Sequence, residues 1–462
     1  MITQLHRLRR SSLALLIALP LAISGGPSAA QSTRFEAHWI SGVRSEALAA
    51  GVGAATFDKV FANLTPDCTQ PGVTCASAGA GQKAPPAMPP HLRGLPQSCN
   101  RVTQPEFVHP ARYFPERNLA NLASRGQSIL ARWRKEQPDA YARLQGVTQE
   151  TGVSLPILVA LWGRETGFGT AKLRHNAVRA LASLAHFGAD TRRDWARGQL
   201  IAALKIIDEG HIALDRMSSS WAGAIGLTQL TPDEFLTYAI DADGDGKRDI
   251  WNSEIDALAS TANVLRHRGW RGDLRTWGYE VALPADDRFD CTLEGRFTRK
   301  TFRDWADVHG LQRIRRDANG APLPLPKPDQ EGYVVMPAGT LGPAFLVTQN
   351  FDVLRSYNTS DNYSIFVGHI ADRVACAAKG CGFATKWPVE QQQGGFDFTV
   401  ANLCKLQLAL KGRGFYPGEP DGLFGGQTRV AIGRYQKSIG EKPSCFPTAA
   451  MFERLNASAS SR

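Results

Sequence analysis

One carboxylate stands at the end of an otherwise apolar run in Ala160-Leu-Trp-Gly-Arg-Glu-Thr-Gly-Phe-Gly169. Ser154 is placed to cap a helix here, Pro156 is tolerated in its first turn, and Gly167 and Gly169 stop it. Ile157 to Trp162 are apolar all round, as in a helix buried within a domain. Glu165 falls four residues after Leu161 and three after Trp162, so it shares their face. A carboxyl there loses solvation and sits at the negative end of the helix dipole. Both effects favour the protonated form, which is what a general acid needs at neutral pH. A Glu paired with Arg164 at a helix end fits the same spacing.

A second run, Ser220-Trp-Ala-Gly-Ala-Ile-Gly-Leu-Thr-Gln-Leu230, sets hydroxyls and a side-chain amide among glycines. Such a surface suits polar, uncharged groups such as sugars, and a glycine-rich packing turn has the same composition. A third, Asp241-Ala-Asp-Gly-Asp-Gly-Lys-Arg-Asp-Ile-Trp-Asn252, resembles an EF-hand loop. Asp241, Asp243 and Asp245 take positions one, three and five, Lys247 offers a carbonyl, and Asp249 sits at nine. Asn252 replaces the usual Glu at twelve and Arg248 stands where an apolar residue is expected, so a structural Ca2+ and a metal-free Asp/Gly turn both remain open.

Together the first two runs resemble the B-type lytic murein transglycosylases. The resemblance extends from Phe35 to Ala377 through Gly269-Trp270, Trp277-Gly-Tyr-Glu-Val-Ala-Leu-Pro284 and Tyr357-Asn-Thr-Ser-Asp-Asn-Tyr363. It implies a lysozyme-like helical core with Glu165 as the catalytic acid/base. It also implies substrate contacts from Ser220, Gln229, Tyr357, Asn358 and Tyr363, with Arg192 and Arg193 as a basic pair for muramic or stem-peptide carboxylates. A core aromatic with a satisfied hydroxyl is the alternative for each tyrosine. The implied reaction cleaves the bond between N-acetylmuramic acid and N-acetylglucosamine and leaves 1,6-anhydro ends, with no cofactor required. A hydrolytic muramidase of the same fold and a non-catalytic wall-binding scaffold are the alternatives.

Residues 398–462 resemble the type 1 peptidoglycan-binding domain in Leu406-Gln407, Gly414-Phe415, Asp421-Gly-Leu-Phe-Gly425, Thr428 and Tyr435-Gln436. Nine Lys/Arg against four Asp/Glu give this segment +5, which fits adhesion to an anionic polymer.

Residues 1–30 read as a secretory signal: Arg7, Arg9 and Arg10, an apolar stretch from Ser11 to Ile23, then Ser28-Ala29-Ala30. With no Cys after the cleavage site, the expectation is an exported, periplasmic protein that is not a lipoprotein. Removing the three leader arginines lowers the formal charge from +10 to +7. No nucleic-acid motif and no membrane span are found, and a monomer acting on glycan strands is expected. Eight cysteines without C-x-x-C spacing favour disulfides. Cys376 and Cys381 are close, Cys404 and Cys445 can pair locally, and the pairing of Cys68, Cys75, Cys99 and Cys291 stays open.

The elements that must position these groups give a mainly α fold. Residues 31–390 form the catalytic domain, with an irregular Cys/Pro-rich segment at 67–100 and a smaller mixed α/β subdomain at about 283–350. Phe35 to Leu64 reads as two short helices broken at Gly51, and Leu119 to Val264 as mainly helical. Trp195, Leu200, Ile201, Leu204 and Ile207 mark one amphipathic helix, while Tyr333–Met336 and Phe345–Thr348 read as strands. Residues 391–397 form a polar linker, expected to be flexible, before a three-helix domain at 398–462. In that domain Thr428 and Thr448 are expected as caps.

Overall fold

Apolar side chains collect into two helical cores that meet along one seam. The computed structural model describes residues 34–75, 93–99, 105–107, 109–316, 319–376, 381–388 and 394–457. The expected leader, residues 76–92 of the Cys/Pro-rich segment, and Gln391 to Gln393 of the expected linker lie outside these. Among the described residues, no helix is long and apolar enough to cross a membrane.

The first core is built by helices Glu116–Glu136, Pro138–Thr151, Leu155–Thr166, Gln349–Tyr357 and Asp361–Ala375. The second gathers Ala37–Ala49, Ala54–Phe61, Ala177–Phe187, Asp190–Asp208 and Pro232–Tyr238. Helix Glu254–His267 serves both: Ile255, Leu258, Ala262 and Leu265 face the first core, Ala257 and Val264 the second. That double duty explains why it is buried from Ile255 to Ala262 without a break, polar positions included. In Asp190–Asp208 the buried stripe is turned from the expected one. Leu200 and Leu204 are buried with Ala196, Gln199, Ala203 and Ile206, whereas Trp195, Ile201 and Ile207 stay part-exposed. The alanines let the alanine-rich helix Ala177–Phe187 come close, and the larger side chains turn to the rim.

Two short strands, β1 (His175–Asn176) and β2 (Ser218–Ser219), pair antiparallel. The remaining strands are β3 (Gly278–Ala282), β4 (Lys300–Thr301), β5 (Gln312–Arg313), β6 (Glu331–Val335) and β7 (Ala344–Val347). They form an antiparallel sheet in the order β4-β6-β7-β3-β5, with Val335 opposite Phe345 and Val281 opposite Ala344. Tyr333, Val335, Phe345 and Val347 point into the first helical core; Val334, Ala344 and Leu346 point the other way, onto Phe302 and Trp305. Burial on both faces explains the unbroken apolar run of β7. The sheet begins earlier than expected, because Gly278–Ala282 supplies one of its inner strands.

The sheet is joined to the helices by a half-buried acid. Asp372, on Asp361–Ala375, accepts a hydrogen bond from Trp277 Nε1 at 3.1 Å, and Gly368 on the same helix lies against the Trp277 ring.

The C-terminal helices are Val400–Lys411, Gly426–Ser438 and Ala449–Ala457. Thr448 caps the last, accepting the Met451 N–H at 3.1 Å. Thr428 is not a cap: Gly425 holds that position, and Thr428 is buried inside the first turn, where its hydroxyl meets the Gln407 amide at 3.0 Å. The expected Cys404–Cys445 bond is absent. Cys404 bonds Cys99 and Cys445 bonds Cys291, each pair with Cα atoms 6.1 Å apart, alongside Cys68–Cys75 and Cys376–Cys381. Both C-terminal cysteines therefore face the catalytic part instead of each other. Phe396 and Phe398 pack with Ala338, and Trp387 touches both this core and the first helical core. The C-terminal unit is thereby joined to the catalytic part by two disulfides and shared packing. In the chain-entropy picture, closing a loop between residues 305 apart contributes on the order of 5 kcal/mol.

Burial raises the Asp372 carboxyl from 3.8 to about 7, against the Trp277 hydrogen bond and Arg315. The fold thus favours its neutral form, and the stability linked to this group is lost as pH rises through about 7. Asp372→Asn should raise the Tm relative to wild type at about pH 8.5 and show little gain at about pH 4.5. Thermal melts at the two pH values check this, and an equal difference at both would refute it.

Candidate active site

The helix Leu155–Thr166 delivers Glu165 to the seam between the two cores. Ser154 occupies its N-cap without a side-chain cap bond, Pro156 lies in the first turn, and Gly167 ends it in the left-handed conformation at φ 58°. Phe168 then folds back on Gly163, where any Cβ would lie 2.6 Å from the ring. This hairpin fixes the last helical turn, and with it the half-buried Glu165.

Glu165 Oε1 accepts a short hydrogen bond from the Tyr363 hydroxyl, its sole hydrogen-bond partner among the described residues. Burial pushes the Glu165 carboxyl up; the Tyr363 hydroxyl and the Arg164 charge pull the other way and do not overcome it. Arg164 is not its ion-pair partner. That guanidinium turns to Glu106 Oε1 at 3.0 Å and the Tyr113 hydroxyl at 2.9 Å, and lies over the Tyr113, Tyr363 and Phe366 rings. Glu106, a second carboxylate in the field of Glu165, is thus already paired.

The Ser220–Leu230 segment is pinned from both sides. Thr166, next to Glu165, donates to Leu227 O at 2.6 Å, and the Tyr357 hydroxyl donates to Thr228 O at 2.5 Å. Leu227 and Tyr357 pack against both cores. Gln229 adopts φ 59° and donates to Gly226 O at 3.0 Å, while Ser220 Oγ accepts the Ala224 N–H at 3.2 Å. Burial holds the Tyr357 and Tyr363 hydroxyls protonated, the more so when Glu165 is ionised. Glu165, Tyr357, Tyr363 and the Ser220–Gln229 turn are thus one cluster.

Asn358 is used locally, accepting the Ser360 N–H at 3.1 Å. Arg192 lies 5.4 Å over the ring of Trp221, which is 36% exposed beside Ser220. Arg193 binds Gly188 O at 2.8 Å and Asp190 at 3.1 Å, and lines a separate hollow with Glu36, Trp39 and His186. The expected basic pair is therefore split: consecutive helical positions cannot share a face. Glu106, Tyr113, Thr166 and Trp221 were not singled out from the sequence. Glu106 and Tyr113 lie in short turns without periodicity, while Trp221 is legible as an aromatic inside the glycine-rich run.

In the acidic loop, oxygens of Asp241 and Asp243 cluster with Asp256 within 4.8 Å. Asp245 and Asp249 are not in this group, a correction to the expected ligand set. The Asp245 carboxylate accepts the Lys247 N–H at 2.8 Å, and Asp249 accepts the N–H groups of Trp251 and Asn252, both at 3.0 Å. Asp256, from the following helix, takes their place while accepting the Ala242, Asp243 and Asp249 N–H groups. The all-oxygen donor set is of the kind that suits a hard divalent cation.

Residues 35–372 match the family described as transglycosylase SLT domain, and 399–454 a putative peptidoglycan binding domain. The chain belongs to the SLT-domain transglycosylases. It is 36% identical to Pseudomonas aeruginosa SltB3 in complex with NAG-anhNAM-pentapeptide, over 91% of this chain and 98% of that one, with a TM-score of 0.71. SltB3 in complex with NAG-NAM-pentapeptide gives 35% identity over 90% and 98%, with a TM-score of 0.72. Membrane-bound lytic murein transglycosylase B of Escherichia coli (strain K12) is 26% identical over 230 residues. That match spans 50% of this chain and 59% of the relative.

The Tyr363 hydrogen bond favours ionised Glu165, so Tyr363→Phe should push the Glu165 carboxyl further up. Titration of the 13C-labelled Glu165 carboxyl in both proteins checks this, and an unchanged or lower midpoint in the variant would contradict it.

Proposed function

We propose that this SLT-domain protein is an exported lytic transglycosylase that cleaves the MurNAc–GlcNAc bond of peptidoglycan, with Glu165 as its single acid/base. The observation that carries this is Glu165 itself: burial keeps it protonated beyond the ordinary carboxylate range, and the one other carboxylate acting on it, Glu106, is tied to Arg164. Glycosidases with two working carboxylates are the common case, and here a second free one is missing among the described residues.

Protonated Glu165 gives its proton to the glycosidic oxygen as the bond to muramic C1 breaks. The 2-acetamido oxygen of the muramic residue stabilises the cationic C1. Ionised Glu165 then removes the proton of the muramic C6 hydroxyl, whose oxygen bonds C1 and closes a 1,6-anhydro ring. Glu165 ends protonated, no water is consumed, and no cofactor is called for. Tyr363 steadies one carboxyl oxygen and leaves the other for the proton transfers. Ser220, Gln229, Tyr357 and Asn358 are assigned to the sugars. Arg192 over exposed Trp221 is assigned to acidic groups of the strand, and Arg193 to acidic groups that reach its own hollow. The ligands held by SltB3 support this substrate class.

Residues 31–390 are assigned to catalysis and 398–462 to wall binding, in a monomer. Export is supported by four disulfides that use all eight cysteines, as an oxidising compartment allows.

Digestion of purified sacculi, read by mass spectrometry, should yield anhydromuramyl ends. Reducing muramic ends throughout would replace the reading with a hydrolytic muramidase. Glu165→Gln should lose activity by roughly a hundredfold or more while still sedimenting with sacculi; wild-type release by this variant would remove Glu165 from the mechanism.

For the acidic loop we assign a structural cation to Asp241, Asp243 and Asp256. Added calcium should raise the Tm, and Asp256→Asn should abolish that rise. The chelated, folded protein should keep its turnover rate; loss of turnover on chelation would place the cation in the chemistry instead.

A further inference from the structure

Arg429 belongs to the C-terminal helix Gly426–Ser438, yet its side chain leaves that unit for the catalytic part. The guanidinium is buried. Its Nε donates to both Glu294 oxygens at 3.0 Å, and Nη2 donates to Glu294 Oε1 at 2.6 Å and to Asp361 Oδ2 at 3.2 Å. Glu294 is held in turn by the Met336 N–H at 2.9 Å. Asp361 is the first residue of the helix Asp361–Ala375. Its other oxygen lies 3.1 Å from Arg355, which also donates to Thr359 O at 2.9 Å. Ser360 caps the helix by accepting the Tyr363 N–H at 3.3 Å. Two residues after Asp361, Tyr363 donates to Glu165. One ion pair, half a helical turn and one hydrogen bond therefore separate Arg429 from the carboxyl.

We propose that Arg429 is a positioning residue for this reaction: by holding Asp361 it fixes the start of the helix that aims Tyr363 at Glu165. The proposal rests on the assignment of Glu165 as acid/base. A buried guanidinium cannot swing away without leaving Glu294 an unpaired charge in the interior, so the link is stiff. The disulfides Cys99–Cys404 and Cys291–Cys445 hold the two parts in register around it. The C-terminal domain then sets the chemical step as well as any adhesion to the wall.

The test uses the full-length chain and soluble, uncrosslinked glycan fragments, on which wall adhesion has no influence. Arg429→Met should lower kcat by about tenfold or more with little change in KM, since small displacements at a reacting group are costly. The basic limb of its pH–rate profile should move upward, as in Tyr363→Phe. The charged and titratable groups facing Glu165 (Arg164, Glu106, Tyr113, Tyr357 and Tyr363) are all retained in Arg429→Met, so the shift would report their placement. Adding Arg429→Met to Tyr363→Phe should cost little more than Tyr363→Phe alone, and Arg429→Lys should restore part of the loss. Lys437→Ala, which breaks the exposed Lys437–Asp290 pair at the same junction, should leave kcat unchanged.

A folded Arg429→Met protein with all four disulfides, wild-type kcat and an unmoved basic limb would overturn the proposal. So would losses that multiply in the double variant. If Arg429→Met does not fold, Asp361→Asn decides by the same readouts, and wild-type values there overturn it too. Glu165→Gln separates the two levels. Full activity in that variant removes the acid/base assignment, whereas its inactivity beside wild-type Arg429 and Asp361 variants removes the positioning role alone.

Discussion

Everything about the site follows from the cost of placing one carboxyl in the last turn of a helix that is apolar from Leu155 to Gly163. Desolvation raises the Glu165 carboxyl toward its protonated form, and only one hydroxyl is spent on it. A stronger partner would ionise it and end its use as an acid. The surrounding residues keep such partners away: Arg164 is one residue distant, but Glu106, Tyr113 and three aromatic faces hold it elsewhere. The two cores supply the rest. Each ends at the seam, so the carboxyl is walled by packed side chains yet still opens toward solvent.

How much of this was legible depended on whether the determining contacts were local. The Glu165 helix could be read directly, because its apolar run, its proline and its glycine stop lie within fifteen residues. The strands around Tyr333 and Phe345 were legible for the same reason, since short apolar runs between Pro and Gly turns are local signals. Gly278–Ala282 was not, because its mixed composition makes a strand only once β7 lies beside it. Glu106 was invisible, standing in an irregular stretch whose place is set by Arg164 far along the chain. Asp256 was missed because the loop was read as a self-contained ligand set, whereas the next helix supplies the third carboxylate.

The C-terminal unit is where local reading failed most. Its three helices and the Thr448 cap follow from spacing. Its cysteines were misassigned because pairing depends on how the unit docks, and the docked face includes Arg429, a residue that on its own helix looks like an ordinary basic position. A buried cation on a small domain is costly unless another surface provides the anion, and Glu294 does so.

The order of the cysteines along the chain adds a constraint of a different kind. Cys99 pairs with Cys404 and Cys291 with Cys445, so the two bridges interleave. A chain oxidised as it emerges from its N-terminal end would meet Cys291 as the first distant partner for Cys99, long before Cys404 arrives. It would then join Cys404 to Cys445, both in the last segment. Native pairing therefore requires either that oxidation wait for the last helices or that early bridges be exchanged, thiolate by thiolate, after they form. The interleaving of the two pairs thus constrains the order of events in biogenesis, independently of the strength of any bond in the finished fold.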